Sequence, residues 1–179
     1  MQDRADNKIE LEIVTPRGKA LGVQVDEVRA PSIEGEFGVL PGHLPLLASL
    51  KNGLVTYRQG NEEQRCAIGG GFAEVGPTKC LILTDEFAER DAVDPVSVRK
   101  ELADVQSELT KLVGDVNIDA TDERVRVLVE RENWLAAQLE LYGDPPPATM
   151  RPFEEFGPPA PPDESDVPTG DSANPSAGT

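Results

Sequence analysis

Ile9-Glu10-Leu11-Glu12-Ile13 decides how the first half of the chain is read. Apolar and acidic residues alternate one by one, the period of a strand with one dry and one wet face. The pattern spreads outward from there. Leu21, Val23 and Val25 alternate with Gly22, Gln24 and Asp26. Leu54-Val55-Thr56-Tyr57, Arg65 to Ile68, Phe72 to Val75 and Cys80 to Thr84 continue as short runs of strand-favouring residues. Turn chemistry separates them at Thr15-Pro16-Arg17-Gly18, Lys51-Asn52-Gly53, Gln59-Gly60-Asn61 and Gly76-Pro77-Thr78. Closely spaced strands without helices between them predict a small antiparallel β-sandwich over residues 1–88.

The period changes at Asp94-Pro95, where an N-capping side chain precedes a residue tolerated in the first helical turn. Val98, Leu102, Val105, Leu109 and Leu112 then recur at steps of three and four, which marks one apolar stripe of a helix. Gly114-Asp115-Val116-Asn117 breaks that helix, and Asp119 to Thr121 offer new caps. Val125, Leu128, Leu135, Leu139 and Tyr142 define the stripe of a second helix, with Glu132 interrupting its seam. The fold class expected is β + α: a sandwich followed by a two-helix antiparallel hairpin over 89–143. A hairpin of that size is too small for a deep core and should lean on another surface.

Residues 144–179 hold 10 prolines and seven carboxylates against one arginine, with almost no aliphatic side chains. Such a segment buries too little apolar surface to offset the entropy of ordering it, and it reads as a disordered acidic tail. It is either an inert solubilising extension or a Pro-rich docking segment, with Arg151-Pro152-Phe153-Glu154-Glu155-Phe156 carrying its aromatic anchors. The formal net charge of the whole chain is −16, which argues against phosphate backbones and anionic lipid headgroups as partners. Met1-Gln2-Asp3-Arg4 opens without the apolar core of a secretory signal, and no apolar stretch is long enough to span a bilayer. A soluble, intracellular protein without direct membrane insertion is expected.

Few constellations suggest chemistry. His43 is the only histidine and lies in a turn-rich, proline-bracketed loop, where a structural or contact role is favoured over catalysis. Gly69-Gly70-Gly71 lacks the lysine and hydroxyl residue of a phosphate loop and is followed by a strand-like run, so a bulge or tight crossing is expected. Asp85, Glu86, Glu89, Asp91 and Asp94 read as a solvated acidic linker without the spacing of a calcium loop. Cys66 and Cys80 fit no metal-ligand spacing and read as buried free thiols. No catalytic residue, metal or cofactor is expected.

Glu34-Gly35-Glu36-Phe37-Gly38-Val39-Leu40-Pro41-Gly42-His43-Leu44-Pro45-Leu46-Leu47 closely resembles a signature of the epsilon subunit of bacterial-type rotary ATP synthases. Gly70-Gly71-Phe72-Ala73-Glu74-Val75, followed by the run to Thr84, is a second match, and the order of sandwich and hairpin is a third. The resemblance spans Ile9 to about Tyr142.

It implies a non-catalytic rotor subunit of a proton-translocating enzyme, held peripherally at the cytoplasmic face of the inner membrane. In that family the sandwich clamps the gamma subunit and rests on the c-ring, with Glu36 and His43 at positions of the ring contact. The hairpin folds against the sandwich or extends toward the alpha/beta catalytic head, where it blocks hydrolysis. Arg124, Arg126 and Arg131 are the candidate contacts to that head. Some members bind ATP through a helix-start motif. Here the matching positions run from Val93 to Val98 and retain only Asp94, with Ser97 where an arginine is expected. Little or no ATP binding is therefore anticipated. Between Asp94 and Tyr142 six basic residues face eleven acidic ones, so any electrostatic part of inhibition should be weak. The competing reading is a free-standing β-sandwich nucleotide-sensing regulator; an enzyme on the sandwich is a more distant third.

Overall fold

The computed structural model describes residues 8–113 and 122–143, and these lie within one compact unit. Ten strands come first: β1 Ile9–Thr15, β2 Gly18–Val25, β3 Glu27–Ser32, β4 Gly35–Val39, β5 Leu46–Leu50, β6 Gly53–Gln59, β7 Glu62–Ile68, β8 Gly71–Val75, β9 Lys79–Thr84 and β10 Phe87–Glu89. A 3-10 turn, Arg90–Ala92, leads into α1, Pro95–Val113, and α2 spans Glu123–Glu140. The β + α order expected from periodicity is the observed one.

The strands pair in the order β10-β7-β6-β3-β5-β8-β9-β1-β2, with β4 added to β3, and the sheet folds back on itself around a single core. Ile9, Leu11 and Ile13 are fully buried, whereas Glu10 and Glu12 between them point outward. Val25, Val28, Val55, Ile68 and Ile82 fill the same interior from the other strands. Burial of each such side chain contributes roughly 1.5–3 kcal/mol before entropy is charged against it.

The sandwich departs from the purely antiparallel expectation in one respect. β1 and β9 run parallel, with Leu11 beside Cys80 and Ile13 beside Ile82. Parallel neighbours need a long connection, and here the seven intervening strands supply it. Strands β3, β4, β5 and β10 were not among the predicted runs; in β3 only Glu27-Val28-Arg29-Ala30 alternates before Pro31, and β4, β5 and β10 carry no clean alternation. β4, for instance, reads Gly-Glu-Phe-Gly-Val and is held as a strand by its five-residue register against β3. The predicted turns all fall between strands, and Gly18 and Gly60 there adopt positive φ.

The Gly69-Gly70-Gly71 run is a tight crossing, as anticipated. A β-carbon on Gly71 would stand 2.0 Å from the Leu83 carbonyl oxygen. The buried Thr84 hydroxyl lies 3.1 Å from each of the Gly69, Gly70 and Glu86 carbonyl oxygens and binds this crossing to the end of β9.

Asp94 caps α1: its carboxylate accepts from the Val96 N–H at 3.1 Å and the Ser97 hydroxyl at 2.7 Å. Val98, Leu102 and Val105 are buried on the predicted stripe. Asp122, just beyond the expected Asp119–Thr121 stretch, caps α2 by accepting from the Arg124 N–H at 2.9 Å. Positions 114–121 and the 144–179 tail, with the expectations placed on them, lie outside the described residues.

The second helix carries two apolar stripes where the sequence reading gave one. Val125, Leu135 and Leu139 lie on the expected stripe, whereas Trp134, Ala137 and Leu141 are buried roughly 150° around the axis at 100° per residue. Arg131 and Glu132, which flank the first stripe, bond to Glu101 and Gln106 of α1, so that stripe faces α1 and the second, on the opposite side, is left to face β6 and β7, which α2 also contacts. Glu132, the interruption in the seam, accepts from the Gln106 amide at 3.1 Å across the hairpin.

Candidate functional site

Surfaces, rather than a deep cleft, carry the features of interest. The loop between β4 and β5 is held at both ends of its turn. The Gly42 N–H donates to the Pro77 carbonyl at 2.7 Å, which ties the loop to the β8–β9 turn, and the His43 N–H donates to the Leu40 carbonyl at 3.0 Å. Gly42 has φ +83°, a conformation that favours glycine over any side chain. The His43 ring places Nδ1 2.7 Å from the Leu44 carbonyl oxygen. Pro41 and Pro45 restrict the flanks by fixing φ. On this stiff frame Leu40 and Leu44 stand exposed, Leu44 by 79%.

Glu36 is exposed on β4 opposite Pro31. Three residues of extended chain separate it from Val39 at the loop's base, about 10 Å at a strand's rise. Glu36 and His43 thus share a strand-loop segment without touching each other through any described hydrogen bond.

A second surface went unnoticed in the sequence. On the outward face of β5, β8 and β9, Ser49 pairs with Phe72 and Phe72 with Leu83. The Ile33 N–H donates to the Ser49 carbonyl and extends the row by one residue. Ile33, Phe72 and Leu83 are all exposed, Phe72 by 55%, and Leu47 on the neighbouring row is exposed by 72%. Beside this row the same face carries charge: Lys79 bridges to Glu12 at 2.5 Å, and Lys19 reaches the same carboxylate at 3.3 Å. The available signal was alternation itself. In Gly71-Phe72-Ala73-Glu74-Val75 the buried positions are Ala73 and Val75, which puts an aromatic ring on the wet face beside Glu74.

The hairpin's arginines are already engaged. Arg124 pairs with Asp122 at 2.8 Å, Arg126 with Glu123 at 2.6 Å, and Arg131 bridges the two helices to Glu101 at 2.5 Å. Asp94 is equally occupied. Its carboxyl is held below the ordinary value by the Ser97 hydroxyl first and the Val96 N–H second. Ser97, the replacement for the arginine of an ATP-binding helix start, thus completes a cap. The thiols of Cys66 and Cys80 are free and buried, and burial pushes them up to about 12 and about 11. Among the described residues there is no metal-ligating cluster, and no helix is long and apolar enough to cross a membrane.

The architecture defines a class: a strand sandwich with a pinned, apolar-tipped loop, continued by a helical hairpin. Comparison with known proteins narrows it. The family model for the ATP synthase delta/epsilon chain β-sandwich domain matches residues 8–90. The ATP synthase epsilon chain of Anaeromyxobacter sp. (strain K) is 40% identical over 117 residues, covering 65% of this chain and 89% of that one. The epsilon chain of Rhodospirillum centenum is 30% identical over 140 residues, covering 75% and 96%. A chain in the cryo-EM structure of the Euglena gracilis mitochondrial ATP synthase shares the fold with a TM-score of 0.60 and 24% identity, covering 75% of this chain and 81% of that one. The chain belongs to the ATP synthase epsilon chain family. The rotor-subunit role expected from the Glu34–Leu47 motif stands, and the chain is a subunit of an enzyme complex.

Proposed function

We propose that this chain does no chemistry of its own and works by three contacts. The apolar row of Ile33, Phe72 and Leu83, with Leu47 beside it, clamps the gamma subunit. The Leu40–Pro45 loop, with His43 and the neighbouring Glu36, rests on the c-ring. The hairpin regulates hydrolysis by leaving the sandwich and reaching the alpha/beta catalytic head. These roles divide the chain at 1–88, 89–143 and 144–179, and they place it at the cytoplasmic face of the inner membrane as a peripheral part of the complex.

One observation carries the proposal: large apolar side chains stand exposed together on one sheet face, Phe72 and Leu83 aligned on paired strands with Ile33 and Leu47 beside them, next to the charged Glu74, Lys79 and Glu12. An exposed row of this kind marks a protein contact, and a sheet backed by a filled core is stiff enough to bear torque. The pinned loop supports the second contact, because rigidity lowers the entropy lost on docking. For the third, the ion pairs of Arg124 and Arg126 at the start of α2 and of Arg131 across the hairpin set the condition that those pairs open before the arginines meet the head. The occupied cap at Asp94 favours this reading over a nucleotide-sensing regulator.

Co-purification tests the contacts. The wild-type chain should bring down gamma and the c-ring in stoichiometric amounts. Phe72→Asp should lose gamma, and the Glu36→Ala, His43→Ala double variant should keep gamma while loosening the ring. Unchanged recovery of both partners by both variants removes the assignment.

A further inference from the structure

Tyr142 stands at the end of the hairpin, 49 residues from Val93 in sequence, yet its hydroxyl lies 2.8 Å from the Val93 carbonyl and 2.6 Å from the Arg90 carbonyl. The Arg90 guanidinium covers the Tyr142 ring at 5.1 Å from its centroid. Both carbonyls belong to the short segment that leaves β10 and enters α1. The end of the hairpin is therefore fastened, non-covalently, to the linker through which the hairpin leaves the sandwich. Beside this point Leu141 is buried and lines a hollow with Tyr57, Gln64 and Arg65 of β6 and β7. The Tyr57 hydroxyl is itself fixed, donating to the Gln64 side-chain oxygen at 2.9 Å.

The geometry points to Tyr142 and Arg90 as a clasp that sets how often the hairpin leaves the sandwich. The apolar stripe of Trp134, Ala137 and Leu141 provides the bulk of the attraction, but such a stripe has no preferred direction and tolerates sliding. The hydroxyl supplies what the stripe lacks: a directed bond that forms only when the end of α2 meets the linker. A guanidinium on the ring adds an attraction that also requires contact. The clasp sits at the last turn of the hairpin, against the linker on which the hairpin pivots, so opening it frees the end of the return helix. Its chemistry suits reversal, since both acceptors are neutral carbonyls and a released tyrosine hydroxyl is readily hydrated. The inference deepens the hairpin reading above and depends on it only for the regulatory meaning of opening.

The test places a reporter thiol at Ala137→Cys, on the stripe facing β6 and β7, in the full-length isolated chain. Its rate of iodoacetamide labelling measures the opened fraction, and Cys80 in β9 serves as an internal reference for opening of the sandwich. Tyr142→Phe should raise labelling at position 137 about fivefold, the factor expected for loss of one ordinary hydrogen bond. Arg90→Ala should raise it in the same direction, and Cys80 labelling should stay unchanged in both. No change at position 137, or an equal rise at Cys80, overturns the clasp. The ATPase rate of the assembled complex with Tyr142→Phe is a separate arm. More labelling with an unaltered rate keeps the clasp and removes its regulatory meaning.

Discussion

Gly71 and Leu83 approach so closely that the carbonyl oxygen of Leu83 occupies the space a β-carbon on Gly71 would need, 2.0 Å away. The obstacle is backbone from the neighbouring strand, so no rotamer change relieves it. Gly71→Ala should therefore force β8 away from β9 and cost about 1–3 kcal/mol, the range of an overpacked interior. Urea denaturation checks this. Gly42→Ala, where a β-carbon meets open space, should cost only the strain of its positive φ and provides the control.

The same interior makes the two thiols inert. With Cys66 pushed up to about 12 and Cys80 up to about 11 by burial, at most about one molecule in a thousand carries a thiolate at pH 8. Reaction with a chromogenic disulfide should be absent in the folded chain and should give two equivalents after denaturation. Rapid modification of the native protein at pH 8 would contradict the packing.

The cap of the second helix predicts an acid transition. The Asp122 carboxyl is drawn down to about 2, first by the Arg124 side chain and then by the Arg124 N–H. A depressed carboxyl stabilises the folded form above its unfolded value near 3.8 and loses that contribution as pH falls through the folded value. Helix content should hold above about pH 4 and decline toward pH 2 by far-UV circular dichroism. Asp122→Asn keeps an acceptor for the N–H without the charge, and its helix signal should be less sensitive to acid over the same window.

Removing the hairpin tests the proposed regulation of hydrolysis. Its arginines are paired internally and its charge is net acidic, which leaves little electrostatic attraction for an acidic partner. Truncation after Ala92 should raise ATP hydrolysis by the assembled complex no more than about fivefold, the low end of ordinary coupling, and added salt should alter that factor little. A far larger, salt-sensitive rise would show that the arginines exchange partners on extension.

The isolated full-length chain should give no calorimetric signal with ATP at sub-millimolar concentration. Ser97 holds the Asp94 carboxylate at 2.7 Å where an arginine would otherwise meet phosphate.

Much of this was written in the order of residues. Alternation in Ile9–Ile13 and spacing in Val98–Val105 established which side chains are buried, because strand and helix periods follow from backbone geometry alone. The Glu34–Leu47 motif carried the family. What the chain could not announce were relationships between distant segments. Nothing near β1 in sequence shows that β9 will lie parallel beside it, and nothing near Gly42 shows that Pro77 will receive its N–H. Ile33, Phe72 and Leu83 look like isolated apolar residues until register aligns them across the sheet. Trp134, Ala137 and Leu141 became a second buried stripe only because β6 and β7 stand against them. Periodicity reports which face of an element avoids water, and it is blind to what covers that face. The identity of the neighbour is decided when the sheet closes, by packing between residues too far apart for any local signal to join.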